Sequence, residues 1–198
     1  MTDQQYVDAY LATLPDRPSD EGAPFVIGMI GVVGSGKSTF AGALAKRLHI
    51  YVSSNDHIRR WLNQQGVSGA SPRQELLQRI AEARSRYLYE HGVSHILDND
   101  LLQFYDLAKE NADAFKVRFF LFHIVADDKV IIERLKLRER SGDANLSQVG
   151  IERYKERRQL HEEVAVPSSM IDLVIDMSGN IDHEVEKAVR YLGEKGVL

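Results

Sequence analysis

Lys37 and Ser38 follow Gly36 in the run GVVGSGKST, which begins at Gly31 and fits the pattern GxxxxGK[ST]. Those types at that spacing suit the holding of a polyphosphate. Backbone N–H groups of Gly34-Ser35-Gly36 can surround phosphate oxygens, because glycine permits close approach and positive φ. The Lys37 ammonium can reach the β- and γ-phosphates, and the Ser38 hydroxyl can hold Mg2+. Thr39 joins Gly34, Ser35, Gly36, Lys37 and Ser38 as an expected nucleotide contact. A guanine-reading Asn-Lys-x-Asp motif is not found before the last helices, which favours ATP over GTP. The alternative, a glycine turn with no ligand, has little support once the flanking elements are considered.

A second pair, Asp56 and Arg59, lies one helical turn apart. A carboxylate near a bound γ-phosphate can accept the proton of an attacking hydroxyl. Arg59 could hold an anionic group of the acceptor or the transferring phosphate. Asp56 also stands where an aspartate commonly caps a helix, and the two roles are compatible.

These residues need elements to hold them. FVIGMIG, from Phe25, is an apolar run rich in β-branched residues, as in a buried parallel strand. Phe40, Leu44 and Leu48 follow at helical spacing, so the glycine-rich run joins a strand to a helix. That context supports a phosphate-binding loop, with the positive end of the helix turned to the phosphates. Ile50 to Ser53 reads as a second strand, and Ile58, Trp61 and Leu62 as a following helix. In an open parallel sheet ligands bind beyond the carboxyl ends of the strands, which brings Asp56 toward the first loop.

The strand, the GVVGSGKST loop and SSNDHIRRWL together resemble P-loop kinases of the polynucleotide 5′-kinase and zeta-toxin kind, a set that includes small ATP-binding proteins. The resemblance spans most of residues 25–192. It implies that Asp56 deprotonates the acceptor and that Arg59 positions it. It also implies that Asp98, ending the strand VSHILDND, steadies Mg2+, with Asn99 and Asp100 as alternative polar contacts. The stretch SHIL before Asp98 is less uniformly apolar than usual for that position. Residues 127–163 look like the lid of such a kinase, two basic helices hinged at Ser141-Gly142, the second resuming near Ser147. Arg138 and Arg140 are then the arginines expected over the γ-phosphate, with Arg134 next and close to the nucleotide. The turn Ser178-Gly179-Asn180 would sit against the adenine.

The remaining segments read more plainly. Residues 3–14 carry Tyr6, Val7, Tyr10, Leu11 and Leu14 at helical spacing, with Thr2 and Gln5 placed as a capping box. Pro15 to Pro24 is a linker by composition. This helix is expected to dock as an appendage, with partner binding as the alternative. Residues 73–91 form a long helix with a stripe of Leu76, Leu77, Ile80, Tyr87 and Leu88, leaving Arg73, Arg79, Arg84 and Arg86 most simply as its solvated face; the resemblance, in which this region often borders the acceptor pocket, implies as the alternative that one of these arginines touches substrate. A helix follows from Leu101 to Ala112. His95 reads as a core or surface residue, not a ligand. Strands are expected at Phe115 to Ala126 and Ile171 to Asp176, and a closing helix from Ile181 to Leu192. The aromatic rings of Phe115 to Ala126 suit a core better than a base-stacking platform.

The chain has 198 residues, no cysteine and a formal net charge of −4. Disulfides and thiolate metal sites are excluded, and general duplex binding is disfavoured. No apolar run reaches the length of a membrane span, and MTDQQ is no signal peptide, which fits a cytoplasmic protein. Together these features predict an α/β, three-layer P-loop NTPase fold with a five-stranded, mainly parallel sheet and a helical lid. An N-terminal helix and linker would occupy 1–24 and the kinase domain 25–198. The expected function is ATP- and Mg2+-dependent phosphoryl transfer to a hydroxyl of a small molecule, nucleoside or nucleic-acid end. The alternative is an ATP-hydrolysing switch acting through a protein partner.

Overall fold

A computed structural model describes residues 1–16, 22–67, 70–141, 150–164 and 166–198, apart from the side chains of 70–72, 138–141 and 153. Five parallel strands run β1 (Phe25–Ile30), β2 (Tyr51–Ser53), β3 (His95–Leu97), β4 (Arg118–Val125) and β5 (Leu173–Asp176). Their order across the sheet is β2-β3-β1-β4-β5, so the phosphate-loop strand lies at the centre. Register aligns Ile27 with Ile96 on one side and with Phe120 on the other. Every residue of β1 is buried, as a central parallel strand covered on both faces requires.

The period of two along β1 divides its side chains between two layers. Phe25, Ile27 and Met29 join Phe40 and Leu44 of α2 (Lys37–Leu48) and Val185, Ala188 and Leu192 of α8 (Ile181–Glu194) in the largest core cluster. Val26 and Ile30 turn to the opposite face, against Ala112 and Ala108 of α5 (Tyr105–Ala114). On the β2 side lie α3 (Asn55–Gln64) and the long α4 (Ala70–Glu90). The helices α6 (Asp128–Ser141) and α7 (Ile151–Glu163) stand over the phosphate loop, where Ile131, Leu135 and Tyr154 pack with Val32 and Val33.

The N-terminal helix α1 (Asp3–Leu11) begins with the anticipated capping box: Thr2 N donates to Gln5 Oε1 at 2.8 Å and Gln5 N to Thr2 Oγ1 at 3.3 Å. Its Val7 and Tyr10, with Leu14 just beyond, bury against Ile58 and Leu62 of α3 and Leu76, Leu77 and Ile80 of α4. Tyr6 and Tyr10 meet the Trp61 ring edge-on, with centroids 6.3 and 5.3 Å apart. Residues 17–21 of the expected linker lie outside the described residues.

Several boundaries differ from those read in the sequence. The helix expected from Leu101 begins at Tyr105, because Leu101 N donates to Met29 O at 2.9 Å and continues the strand pairing past Leu97. The strand expected from Phe115 begins at Arg118: Lys116 takes φ 57° and Val117 N donates back to Ala112 O, closing α5 first. The strand expected from Ile171 begins at Leu173, after a short 3-10 turn over Ser168–Met170. The helix expected after Pro72 begins at Ala70, since proline is tolerated in a first helical turn. Its buried face carries Tyr89, whereas Tyr87 is half-buried. Ser147, the expected restart of the lid, lies outside the described residues, and α7 opens at Ile151.

Candidate active site

The loop between β1 and α2 is shaped by glycine. At Gly31, with φ 154°, an added Cβ would stand 2.3 Å from the Ile124 carbonyl of β4. Gly36 is the N-cap of α2 at φ 106° and supplies no capping side chain, so the helix presents its first N–H groups uncapped by a side chain. That is the arrangement on which an anion can settle. Gly34 is likewise left-handed, at φ 83°, and lies under Ile131 of α6. Ser35 is fully buried and its hydroxyl has no hydrogen-bond partner among the described residues. The Lys37 ammonium bends over the loop, donating to the carbonyls of Gly31 (2.6 Å) and Val32 (3.0 Å). Ser38 and Thr39, in the first turn of α2, are exposed.

Ser38 Oγ donates to Asp98 Oδ1 at 3.0 Å. The two residues come from α2 and from the end of β3, 60 positions apart. Burial pushes the Asp98 carboxyl above its ordinary value, and the nearby Asp56 charge adds to that, against the Ser38 hydrogen bond and the Lys37 charge. Oxygen donors of this kind, few in number beside a phosphate loop, suit Mg2+, which keeps most of its water and takes one or two protein oxygens. Among the described residues no group of three or more His, Cys, Asp or Glu side chains converges on a common point.

Asp56 and Arg59 stand together in the first turn of α3, Nη1 to Oδ1 at 2.5 Å, both partly exposed. The cap of this helix is Ser54, whose hydroxyl accepts the Asp56 N–H at 3.3 Å. Asp56 is therefore not the capping residue, and its carboxylate is directed to Arg59. Asp56 and Asp98 are close enough for their charges to act on each other.

Arg134 ties the opposite side of the site. Its Nη2 donates to Met177 O at 2.6 Å and its Nη1 to Ser35 O at 3.3 Å, joining α6, the phosphate loop and the turn after β5. That turn is fixed by Asp127 N donating to Ser178 Oγ at 2.8 Å and by Asn180 capping α8. An added Cβ at Gly179 would meet nothing within 4 Å, so the turn opens to free space at this position. Arg138 and Arg140 belong to the last turns of α6, but their side chains lie outside the described residues.

Two groups at this site escaped the sequence reading. Arg84, expected on the solvated face of α4, is only 3 % exposed and donates to the Ser54 carbonyl and the Asn55 side chain. The signal was present: Arg84 lies four residues from both Ile80 and Leu88, on the buried stripe itself. The second is His161 of α7, whose Nε2 lies 2.8 Å from Asp100 Oδ2, while Asp100 Oδ1 accepts the Gly31 N–H at 3.4 Å. Burial pushes the Asp100 carboxyl up, but the His161 hydrogen bond and the Lys37 charge outweigh it and hold the group below its ordinary range. Nothing local in the sequence marks this contact, which joins positions 61 apart.

Comparison with known proteins adds to this geometry. The profile of the AAA domain family matches residues 26–163, well over half of the chain. No curated protein matches the sequence. Among solved structures, the Mycobacterium tuberculosis APS kinase CysC in complex with AMPPNP and APS is 18 % identical, with a TM-score of 0.56, covering 90 % of this chain and 99 % of its own. A putative kinase from Chloroflexus aurantiacus is 18 % identical, with a TM-score of 0.59, covering 86 % of this chain and 100 % of its own. A chain of the PezAT chromosomal toxin–antitoxin system of Streptococcus pneumoniae is 16 % identical, with a TM-score of 0.57, covering 98 % of this chain and 95 % of its own.

Proposed function

The chain belongs to the AAA domain family and has the fold of the P-loop kinases, and on that footing we propose that it transfers the γ-phosphate of ATP to a hydroxyl group of a small molecule, nucleoside or nucleic-acid end. The observation that carries this reading is the meeting of three carboxyl strand ends at one loop. Ser38 stands on Asp98 at 3.0 Å, and Asp56 lies within electrostatic reach of Asp98. A switch that only hydrolyses ATP has no evident need of a second carboxylate paired with an arginine.

In the proposed reaction the triphosphate lies along Gly34-Ser35-Gly36 and the start of α2, where N–H groups and the helix dipole favour negative charge. The Lys37 ammonium exchanges its carbonyl partners for phosphate oxygens. Ser38 and Asp98 would hold Mg2+, which supplies charge neutralisation at the β- and γ-phosphates. Asp56 accepts the proton of the acceptor hydroxyl as its oxygen bonds to the γ-phosphorus and the bond to the ADP oxygen breaks. Arg59 pairs with the Asp56 carboxylate and offers its remaining donors to the acceptor or the transferring group. Gly179 and its turn border the base, and Arg134 fixes that turn to the loop. Arg138 and Arg140, on α6, are assigned to charge on the γ-phosphate.

The reading of a partner-driven ATPase assigns the N-terminal helix as a docking element. Its apolar residues Val7 and Tyr10 are spent on α3 and α4, so that element does not favour it.

The test is transfer from γ-labelled ATP with Mg2+ to a panel of sugars, nucleosides, antibiotics and 5′-hydroxyl oligonucleotides. Label on one acceptor class is the expected result. Release of phosphate at the same rate with every acceptor and with none would reject the kinase.

A further inference from the structure

Arg84 sits at mid-length in α4, 3 % exposed, between Ile80 and Leu88, which are both fully buried. Its Nη1 donates to the Ser54 carbonyl at 2.7 Å and its Nη2 to Asn55 Oδ1 at 2.9 Å, while its Nε has no partner among the described residues. Both partners are neutral, and among the described residues no carboxylate forms an ion pair with it. Arginine is almost never buried unless paired, because removing its charge from water is costly. The location adds to that cost: Ser54 and Asn55 open α3, whose positive dipole end disfavours a cation. A leucine or methionine at this phase of α4 would pack without either penalty. Stability therefore does not explain the residue.

Geometry does. A guanidinium is a rigid fork, and two of its donors fix both the distance and the direction of two separate acceptors. Here the acceptors are the cap residue of α3 and the residue after it, immediately ahead of Asp56. The hydroxyl of the same Ser54 accepts the Asp56 N–H. A second arginine acts nearby, since Arg73 Nη2 donates to the Arg59 carbonyl at 3.2 Å, but from a partly buried position.

We propose that Arg84 is a positioning residue for phosphoryl transfer: by clamping Ser54 and Asn55 it sets the first turn of α3, and so the place of the Asp56 carboxylate relative to the phosphate loop. The proposal rests on Asp56 being the base of the reaction above. It predicts an effect on the rate of transfer and little on nucleotide binding, because the clamp touches α3 and not α2.

The experiment measures turnover of γ-labelled MgATP, to water and to the acceptor panel, in wild type, Arg84→Lys, Asn55→Ala, Asp56→Asn and the Arg84→Lys/Asp56→Asn double variant. Lysine keeps the buried charge but carries its donors on one nitrogen, without the planar fork that spans two fixed acceptors. Asn55→Ala removes one arm of the clamp from a half-buried position in a first helical turn, and leaves the core untouched. Arg84→Lys is expected to lower kcat about tenfold or more, since small misplacements of a reacting group are costly, with KM for ATP within about twofold. Asn55→Ala is expected to do the same to a smaller extent. The double variant should be no slower than Asp56→Asn alone, because the arginine acts through Asp56.

Independent, multiplying losses in the double variant would overturn the proposal, as would full turnover in both Arg84→Lys and Asn55→Ala while Asp56→Asn is impaired. Should Asp56→Asn turn over like wild type, the base assignment itself fails, and the role of Arg84 falls with it. The Asp56→Asn arm thus separates the two failures. If Arg84→Lys does not fold, Asn55→Ala and its combination with Asp56→Asn decide the question by the same criteria.

Discussion

His95 occupies the middle layer of the molecule with no exposed surface, donating from Nδ1 to the Val93 carbonyl at 2.8 Å and leaving Nε2 without a partner. Burial pushes the ring down to about 4; the Val93 hydrogen bond opposes this and the Arg84 charge reinforces it. An unfolded chain protonates histidine near the ordinary value of about 6.5. The unfolded state therefore binds the proton first, and stability falls as pH drops from about 6.5 to about 4, by an amount of about 3 kcal/mol for this one group. Above pH ~6.5 the group has no effect on stability. His95→Gln is expected to flatten that part of the curve relative to wild type, as measured by denaturant unfolding at several pH values. Parallel curves for the two proteins would contradict the assignment. The sequence reading left His95 as core or surface; only its register beside Val26 in the sheet decides for core. Asp56 was legible in the same partial way. Its distance from the loop motif and its spacing to Arg59 are local facts. That Ser54, not Asp56, caps the helix depends on a backbone conformation that residue types alone do not specify.

At the scale of elements, α3 is held from three sides: β2 precedes it, α4 supports it through Arg84, and α1 covers it through Tyr6 and Tyr10 on Trp61. Tyr10 is 3 % exposed and lies beside Tyr51 of β2, whose hydroxyl is pushed upward by burial first and by Tyr10 next. Tyr10→Ala should destabilise the protein by about 3 kcal/mol, a usual cost for truncating a buried aromatic ring. It should also shift the emission of Trp61, the single tryptophan of the chain, to longer wavelength. Unchanged stability and emission would show that α1 is not a working part of the layer built on α3 and α4. The capping box and the periodicity of α1 could be read from residues 2–14 because both are local. Its docking place could not, since it depends on which faces α3 and α4 leave exposed. The late starts of α5 and β4 have the same origin: a strand-like bond from Leu101 to Met29 and a left-handed Lys116 override local preference.

Over the whole molecule, the central strand β1 is buried along its whole length and leaves a nearly continuous apolar signal, whereas the edge strand β5 exposes Val174 and Asp176 and is marked less strongly. The order β2-β3-β1-β4-β5 carries no such signal, yet it is what brings Ser53, Asp98 and the phosphate loop side by side. Adjacent strands bring Asp98 N onto Ser53 O at 3.0 Å, and α2 brings Ser38 onto the Asp98 carboxylate. The helices α6 and α7 add the His161–Asp100 contact and the Tyr154–Asp128 bond at 2.7 Å, both long in sequence and short in space. Among the described residues no helix is long and apolar enough to cross a membrane. The account as a whole depends on Asp56 serving the transfer and not the binding of ATP. The direct test compares wild type with Asp56→Asn: equilibrium binding of ATP with Mg2+ in one assay, and transfer of the γ-phosphate to the acceptor panel in another. We predict ATP affinity within about twofold of wild type and a loss of transfer of about 10²-fold or more. Equal transfer by the two proteins, or a loss of transfer matched by an equal loss of ATP affinity, would contradict the account.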